Sequence, residues 1–137
     1  MRWVKVETIL NTWKSTDATI DSREDWDHLL ARKRRDHGYK DIKKSIQKYG
    51  FCRPSDYLTR SHYWSQGKTP THHEGHHRLA AAIDLGYKYV PYIARGGKSK
   101  SHGYCSHMYS RSTDSEHIVK CQQIYSHPEN PKPLIII

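Results

Sequence analysis

A single phenylalanine and two methionines occur in 137 residues, and only 35% of the chain is apolar. That scarcity excludes a broad aliphatic core. A modest one, resting on the ten tyrosines and four tryptophans, is expected in its place. Long hydrophobic runs are missing too: no stretch approaches the roughly 18 apolar residues of a membrane-crossing helix, so no membrane partner is expected. Cysteine is scarce, with Cys52, Cys105 and Cys121 forming no CxxC pair. An odd, scattered set argues against a disulfide framework and for a reducing compartment. The opening residues carry Lys5 and Glu7 inside their apolar stretch, unlike a signal peptide. A cytoplasmic protein is therefore expected. Acidic residues are also in short supply, 14 against 23 Lys and Arg, for a net charge of +9. The excess points to a polyanionic partner, nucleic acid or nucleotide, with DNA favoured over RNA.

The pattern along the chain predicts an α+β single domain over 1–137, a small mixed sheet flanked by helices. Residues 3–10 are rich in β-branched types and read as a strand; residues 11–21 are polar and loop-like. Ser22 offers a helix cap with Asp25 three residues on, and Trp26, Leu29 and Leu30 then share one helical face. That helix runs into the basic block Arg32-Lys33-Arg34-Arg35 and is expected to end at Gly38. Asp41 to Gly50 predicts a second helix: Ile42, Ile46 and Tyr49 lie on one side, Lys43, Lys44 and Lys48 away from it, and Gly50 supplies the stop. Phe51 to Tyr63 reads as extended segments broken at Pro54, and 66–68 as a turn. A short helix is expected from Arg78 to Leu85, with Leu79, Ala82 and Ile83 inward and Gly86 as its left-handed cap. A strand follows over 87–93, which Pro91 assigns to an edge or a strand end. Residues 95–103 form a basic loop, about 114–125 a last helix with Thr113 and Glu116 as capping box, and 134–137 an added strand or apolar tail. There is no internal repeat.

The informative segment is Thr71-His72-His73-Glu74-Gly75-His76-His77-Arg78-Leu79-Ala80-Ala81-Ala82. Glycine at a strand end permits a tight turn, and the amides that follow sit at a helix amino terminus, where they and the helix dipole bind phosphate. Arg78 can add a forked contact to phosphate oxygens. His76 and His77 can donate to phosphate or move a proton near neutral pH. Glu74 is a candidate to hold Mg²⁺ or orient water, and equally an ordinary surface residue. Consecutive histidines on a strand alternate in direction, so His72, His73, His76 and His77 put at most two side chains into one site.

This run, with Leu85-Gly86-Tyr87 and Val90-Pro91 after it, resembles the second conserved box of the ParB/sulfiredoxin superfamily: a strand ending in Gly, an Ala-rich helix, a Gly, and a strand carrying Val-Pro. Ile42-Lys43-Lys44-Ser45-Ile46 through Gly50 and Pro54 is similar to the helix and Pro-containing strand that precede it. The resemblance covers about 40–93 and implies the fold of that superfamily. Sulfiredoxin-like members carry a catalytic Cys where this chain has His76, so their reductase chemistry is not expected. Partitioning ParB proteins have Glu-Arg at His76-His77 and further DNA-binding and dimerisation domains for which 137 residues leave little room. The Gly-His-His-Arg form is similar to small ParB-like nuclease proteins of phages and mobile elements, and to free-serine kinases of the same fold.

What the resemblance implies is a nucleotide or nucleic-acid phosphate at Gly75, His76, His77 and Arg78. Hydrolysis would use Glu74, His76 and His77 as catalytic residues, with Mg²⁺ and a nucleoside triphosphate as the cofactors it allows. Three outcomes stay open: a metal-dependent nuclease, an NTP-dependent kinase or nucleotidase acting on a small molecule, or a binding module for DNA or a host protein without turnover. A phage or mobile-element origin and a nucleoid association fit the same resemblance. Arg32, Lys33, Arg34, Arg35, Lys43, Lys44 and Lys48 are the candidates to track a nucleic-acid backbone, largely without sequence preference, and Tyr57, Tyr63 and Trp64 could stack on bases. Trp26 is assigned to the core. His102, Cys105, His107, His117 and Cys121 match no standard zinc spacing, so no stoichiometric zinc is expected.

Overall fold

The computed structural model describes residues 2–15, 25–51, 58–60, 71–94 and 126–134. Nine elements occur in the order β1 (Arg2–Lys5), α1 (Val6–Thr12), β2 (Lys14–Ser15), α2 (Trp26–Arg34), α3 (Tyr39–Tyr49), β3 (Leu58–Arg60), β4 (Thr71–Glu74), α4 (His76–Asp84) and β5 (Tyr89–Ala94). The strands form one five-stranded sheet in the order β1-β5-β3-β4-β2. It is mixed: β1 with β5 and β3 with β4 run antiparallel, whereas β3 with β5 and β2 with β4 run parallel. The α+β expectation holds in this form. None of the described helices is long and apolar enough to cross a membrane.

The expected first strand over 3–10 is the clearest correction. Extended chain lasts only to Lys5, and Val6–Thr12 is helical. Val6, Ile9 and Trp13 are buried and Leu10 packs beside them; steps of three and four residues suit a helix, which buries all of them on one side, where a strand would divide them between two faces. The Val6 amide donates to the Lys88 carbonyl at 2.8 Å, closing the corner where strand becomes helix. Further on, Asp25 caps α2 by accepting from the His28 amide at 2.8 Å; Ser22 lies outside the described residues. The helix ends at Arg34, with Arg35 as its cap. Gly38, expected to stop it, instead opens α3 at φ 91°, a left-handed conformation that favours glycine. The amphipathic stripe on α3 is as expected, Ile46 fully buried with Ile42 and Tyr49 beside it, and Gly50 closes the helix.

β5 is not an edge strand. Pro91 stands opposite Trp3 of β1, and pairing to β3 begins only at Tyr92, so the β3 ladder makes no demand on the N–H that Pro91 lacks. Val4, Val90 and Tyr92 alternate onto the face that carries the core, with Ile9, Leu29, Leu30, Ile46 and Leu79. Ala80, Ala81 and Ala82 are all fully buried, because α4 lies close against α3, α2 and the sheet, where larger side chains would hold it off. Each buried leucine or isoleucine here contributes about 1.5–3 kcal/mol.

Several stretches read from the sequence lie outside the described residues: 16–21 of the first loop, 52–57 and 61–63 of the extended stretch, the turn at 66–68, the loop and helix over 95–125, and 135–137 of the tail. So do Tyr57, Tyr63, Trp64, His102, His107, His117 and the three cysteines.

Candidate functional site

β4 runs between β3 and β2 and delivers the chain to Gly75, whose φ of 91° and ψ of 30° turn it directly into α4. A side chain at that φ would be strained, so the residue type follows from the turn. The helix opens with the Leu79 amide donating to the Gly75 carbonyl at 2.8 Å. With glycine in the capping position, no cap side chain covers the first turn, and its amides carry the positive end of the helix dipole. α4 starts at His76, two residues before the expected Arg78, so His76, His77 and Arg78 are the first three helical residues.

A helix advances about 100° per residue, and the two histidines accordingly separate. His76 turns inward and is 7% exposed. Its Nε2 lies 2.5 Å from the Ser15 hydroxyl of β2, and its ring meets that of His72 edge-on at 4.3 Å. His72 is itself fully buried, and its Nδ1 is 2.6 Å from the Tyr92 hydroxyl. Burial pushes the Tyr92 phenol well above its ordinary value; it stays protonated and can donate to His72. Trp26 closes the row, edge-on to His72 at 5.9 Å with its indole N–H donating to the Trp13 carbonyl at 2.9 Å. A polar seam, Ser15–His76–His72–Tyr92, thus crosses the inner face of the sheet beneath the turn.

His77 turns outward. Its Nε2 is 2.8 Å from Asp36 in the α2–α3 connection, at half-exposed positions on both sides. The hydrogen bond from His77 holds the Asp36 carboxyl below the usual carboxylate range, helped by the charges of His77, Lys33 and Arg32. Through this pair the turn is tied to the end of the basic block. Arg78 is half-buried in the first turn. The side chains of His73 and Glu74 lie outside the described set.

The basic residues do not all serve one purpose. Arg34 is engaged internally: its Nε donates to Asp84 at 3.1 Å and a second guanidinium nitrogen is 2.9 Å from the other carboxylate oxygen. The Tyr39 hydroxyl donates to the same carboxylate. Asp84 therefore ties α2, α3 and α4 together at the far end of α4. Desolvation, then the bond to Asp84, pushes Tyr39 up to about 12. Arg35, Lys44 and Lys48 are exposed and Arg32, Lys33 and Lys43 half-exposed, on two consecutive helices; Lys48 also lies over the Tyr49 ring at 5.1 Å. The structure thus joins Gly75, His77 and Arg78 with Asp36 at one turn, moves His76 into the core, and assigns Arg34 to a clamp.

Ser15, Asp36, Tyr39, Asp84 and Tyr92 were missed by sequence reasoning, and His72 was weighed only as one of four histidines. Alternation along β4 could have paired His72 with the core face, but Asp36 and His77 are 41 residues apart and nothing local links them. For Mg²⁺ the described side chains do not make a site. No three His, Cys, Asp or Glu gather among them, and Asp36 is taken up by His77. No family model, no curated protein and no solved structure matches this chain.

Proposed function

We propose that the protein binds phosphate, as a nucleotide or a nucleic-acid backbone, at the Gly75–Arg78 turn, on a fold of the ParB/sulfiredoxin type. The observation that carries this is the glycine-opened amino terminus of α4, which has no cap side chain and holds Arg78 in its first turn. An anion there meets backbone donors, the helix dipole and a guanidinium together. The order α3, β3, β4, Gly75, α4, Gly86, β5 agrees with the superfamily's layout, and supports the fold assignment. His76 belongs under the turn as its support, bonded to Ser15, rather than on the ligand. His77, held by Asp36, is the histidine that can reach an exposed phosphate.

Charge favours a nucleic acid over a small-molecule substrate. With Arg34 occupied by Asp84, the electrostatic contribution falls to Arg32, Lys33, Arg35, Lys43, Lys44 and Lys48. A second reading, hydrolysis of the bound phosphodiester, is favoured by one feature, the outward His77 beside a carboxylate that stays ionised. In that case His77 takes the proton of the attacking water and Arg78 stabilises charge on the phosphate.

The test is a thermal-shift screen of nucleotides, single- and double-stranded DNA and RNA, with and without Mg²⁺, followed by turnover assays on each hit. A nucleic-acid hit should weaken steeply with salt. Replacing Arg32, Lys33 and Arg35 together with Gln should flatten that dependence by about one unit of slope per lost phosphate contact. Affinity indifferent to salt, or no anion hit at all, overturns the proposal.

A further inference from the structure

Trp3 and Tyr89 alternate away from the core-facing Val4 and Val90, so they stand on the opposite face of the sheet. That face is met by 126–134, a segment with no helix or strand of its own. His127 stacks on Tyr89 with ring centroids 4.0 Å apart and planes at 17°, and meets Trp3 edge-on at 5.5 Å. The Asn130 side chain then reads backbone as a partner strand would. Its Oδ1 accepts from the Lys88 and Tyr89 amides, and its Nδ2 donates to the Tyr89 carbonyl, each at 2.9 Å. Beyond it Pro131 lies against Gly86 and Pro133 against Gly50, and the Leu134 amide reaches the Gln47 carbonyl at 3.1 Å.

The segment shapes itself. The Asn130 amide donates to the His127 carbonyl at 3.0 Å, closing a turn with Pro128 at its second position, where a fixed φ suits it. The Glu129 amide donates to Nδ1 of His127 at 3.1 Å and sets the imidazole's orientation. A preshaped turn loses little freedom on docking. Nor does it fill its groove as a core element would: a cavity of about 280 Å³ remains between Pro131, Pro133 and the wall of Tyr49, Phe51 and Tyr87.

We propose that this surface is a peptide-recognition site for a His-Pro-x-Asn-Pro turn, and that the chain's own 126–134 segment is its tethered occupant. The imidazole is read by Trp3 and Tyr89, the asparagine by the Lys88–Tyr89 backbone, and the prolines by Gly86 and Gly50. Recognition resides in side-chain and turn chemistry, so the same sequence binds when supplied separately. While attached, it holds the site as an intramolecular ligand, and a free peptide of the same chemistry enters only when the chain is cut or the asparagine removed.

Two experiments decide it. A specific protease sequence is inserted ahead of Ser126 in the full chain and cut after folding. The 126–137 fragment should stay with the body through gel filtration, and excess synthetic 126–137 peptide should displace it. A peptide carrying Asn130→Ala should displace at least tenfold less well, and a scrambled one not at all. Loss of the fragment from a body that remains folded and does not rebind the peptide overturns the proposal, as does equal displacement by the scrambled peptide. Should the insertion disturb folding, hydrogen exchange on intact Asn130→Ala decides. The Lys88 and Tyr89 amides should exchange at least tenfold faster, and added wild-type peptide should slow them again. Unchanged exchange, or no slowing by peptide, overturns it.

Discussion

At its carboxyl end α4 is fastened by charge: Asp84 accepts from Arg34 of α2 and Tyr39 of α3, and the Gly86 and Tyr87 amides return to carbonyls of the last turn. At its amino end the cap is a glycine without a side chain, one histidine is drawn into the core, and the other leans on an exposed carboxylate. The same nine-residue helix is therefore tied across three helices at one end and presents dipole and donors at the other. Stability and ligand binding should separate between the two ends. A substitution that moved both together would break that comparison.

The largest effect on stability is expected at the fastened end. Asp84→Ala leaves Arg34 and Tyr39 without their shared acceptor; with the Arg34 pair partly exposed, it should cost about 1.5–2 kcal/mol in urea unfolding. Anion affinity at Gly75–Arg78, read by titration calorimetry, should stay within about twofold. Arg78→Ala is the converse: about ten- to a hundredfold weaker phosphate binding, or roughly 1.5–3 kcal/mol, with a stability change below about 1 kcal/mol.

The histidines sharpen the comparison within a single turn. His76→Gln gives up a buried ring packed on His72 and the bond to Ser15, and should cost about 1–2 kcal/mol of stability. His77→Gln should change stability by less than about 0.5 kcal/mol and act instead on affinity or turnover. Equal losses from the two would deny that they face different ways.

The smallest effects are in pH. The Asp36 carboxyl is lowered from 3.8 by His77, so its contribution is present above that value and lost as pH falls through the lower, folded one. The difference in melting temperature between wild type and His77→Gln should shrink over that acid range. Tyr39 is raised from 10.0 to about 12. Its contribution is present below the unfolded value and lost as pH rises through the folded one, and Tyr39→Phe should flatten that alkaline fall.

Two segments with equally plain residues differ in how far they could be read. The α3 stripe of Ile42, Ile46 and Tyr49 repeats at helical spacing and ends in glycine, so its element and inner face were legible without any partner. Residues 3–10 carry two periods at once. β-branched types suit a strand, whereas Val6, Ile9 and Leu10, with Trp13 just beyond, suit a helix, and burial against the core decides for the helix. Gly38 shows the same limit on a smaller scale: a glycine marks a break, but the neighbouring elements decide whether it ends one helix or begins the next.

From the sequence alone came the α+β class, the glycine turn before an alanine-rich helix, and the surplus of positive charge. These depend on local spacing and composition, which are complete in any short window. Only the tertiary structure decided that Arg34 is a clamp, that His76 supports the turn from below, and that Asp36 stands beside His77. Those partners lie 50, 61 and 41 residues apart along the chain. A charge or an imidazole looks the same in sequence whether it meets solvent or a buried partner. Packing alone brings the partner within reach, and so settles which groups remain for a ligand.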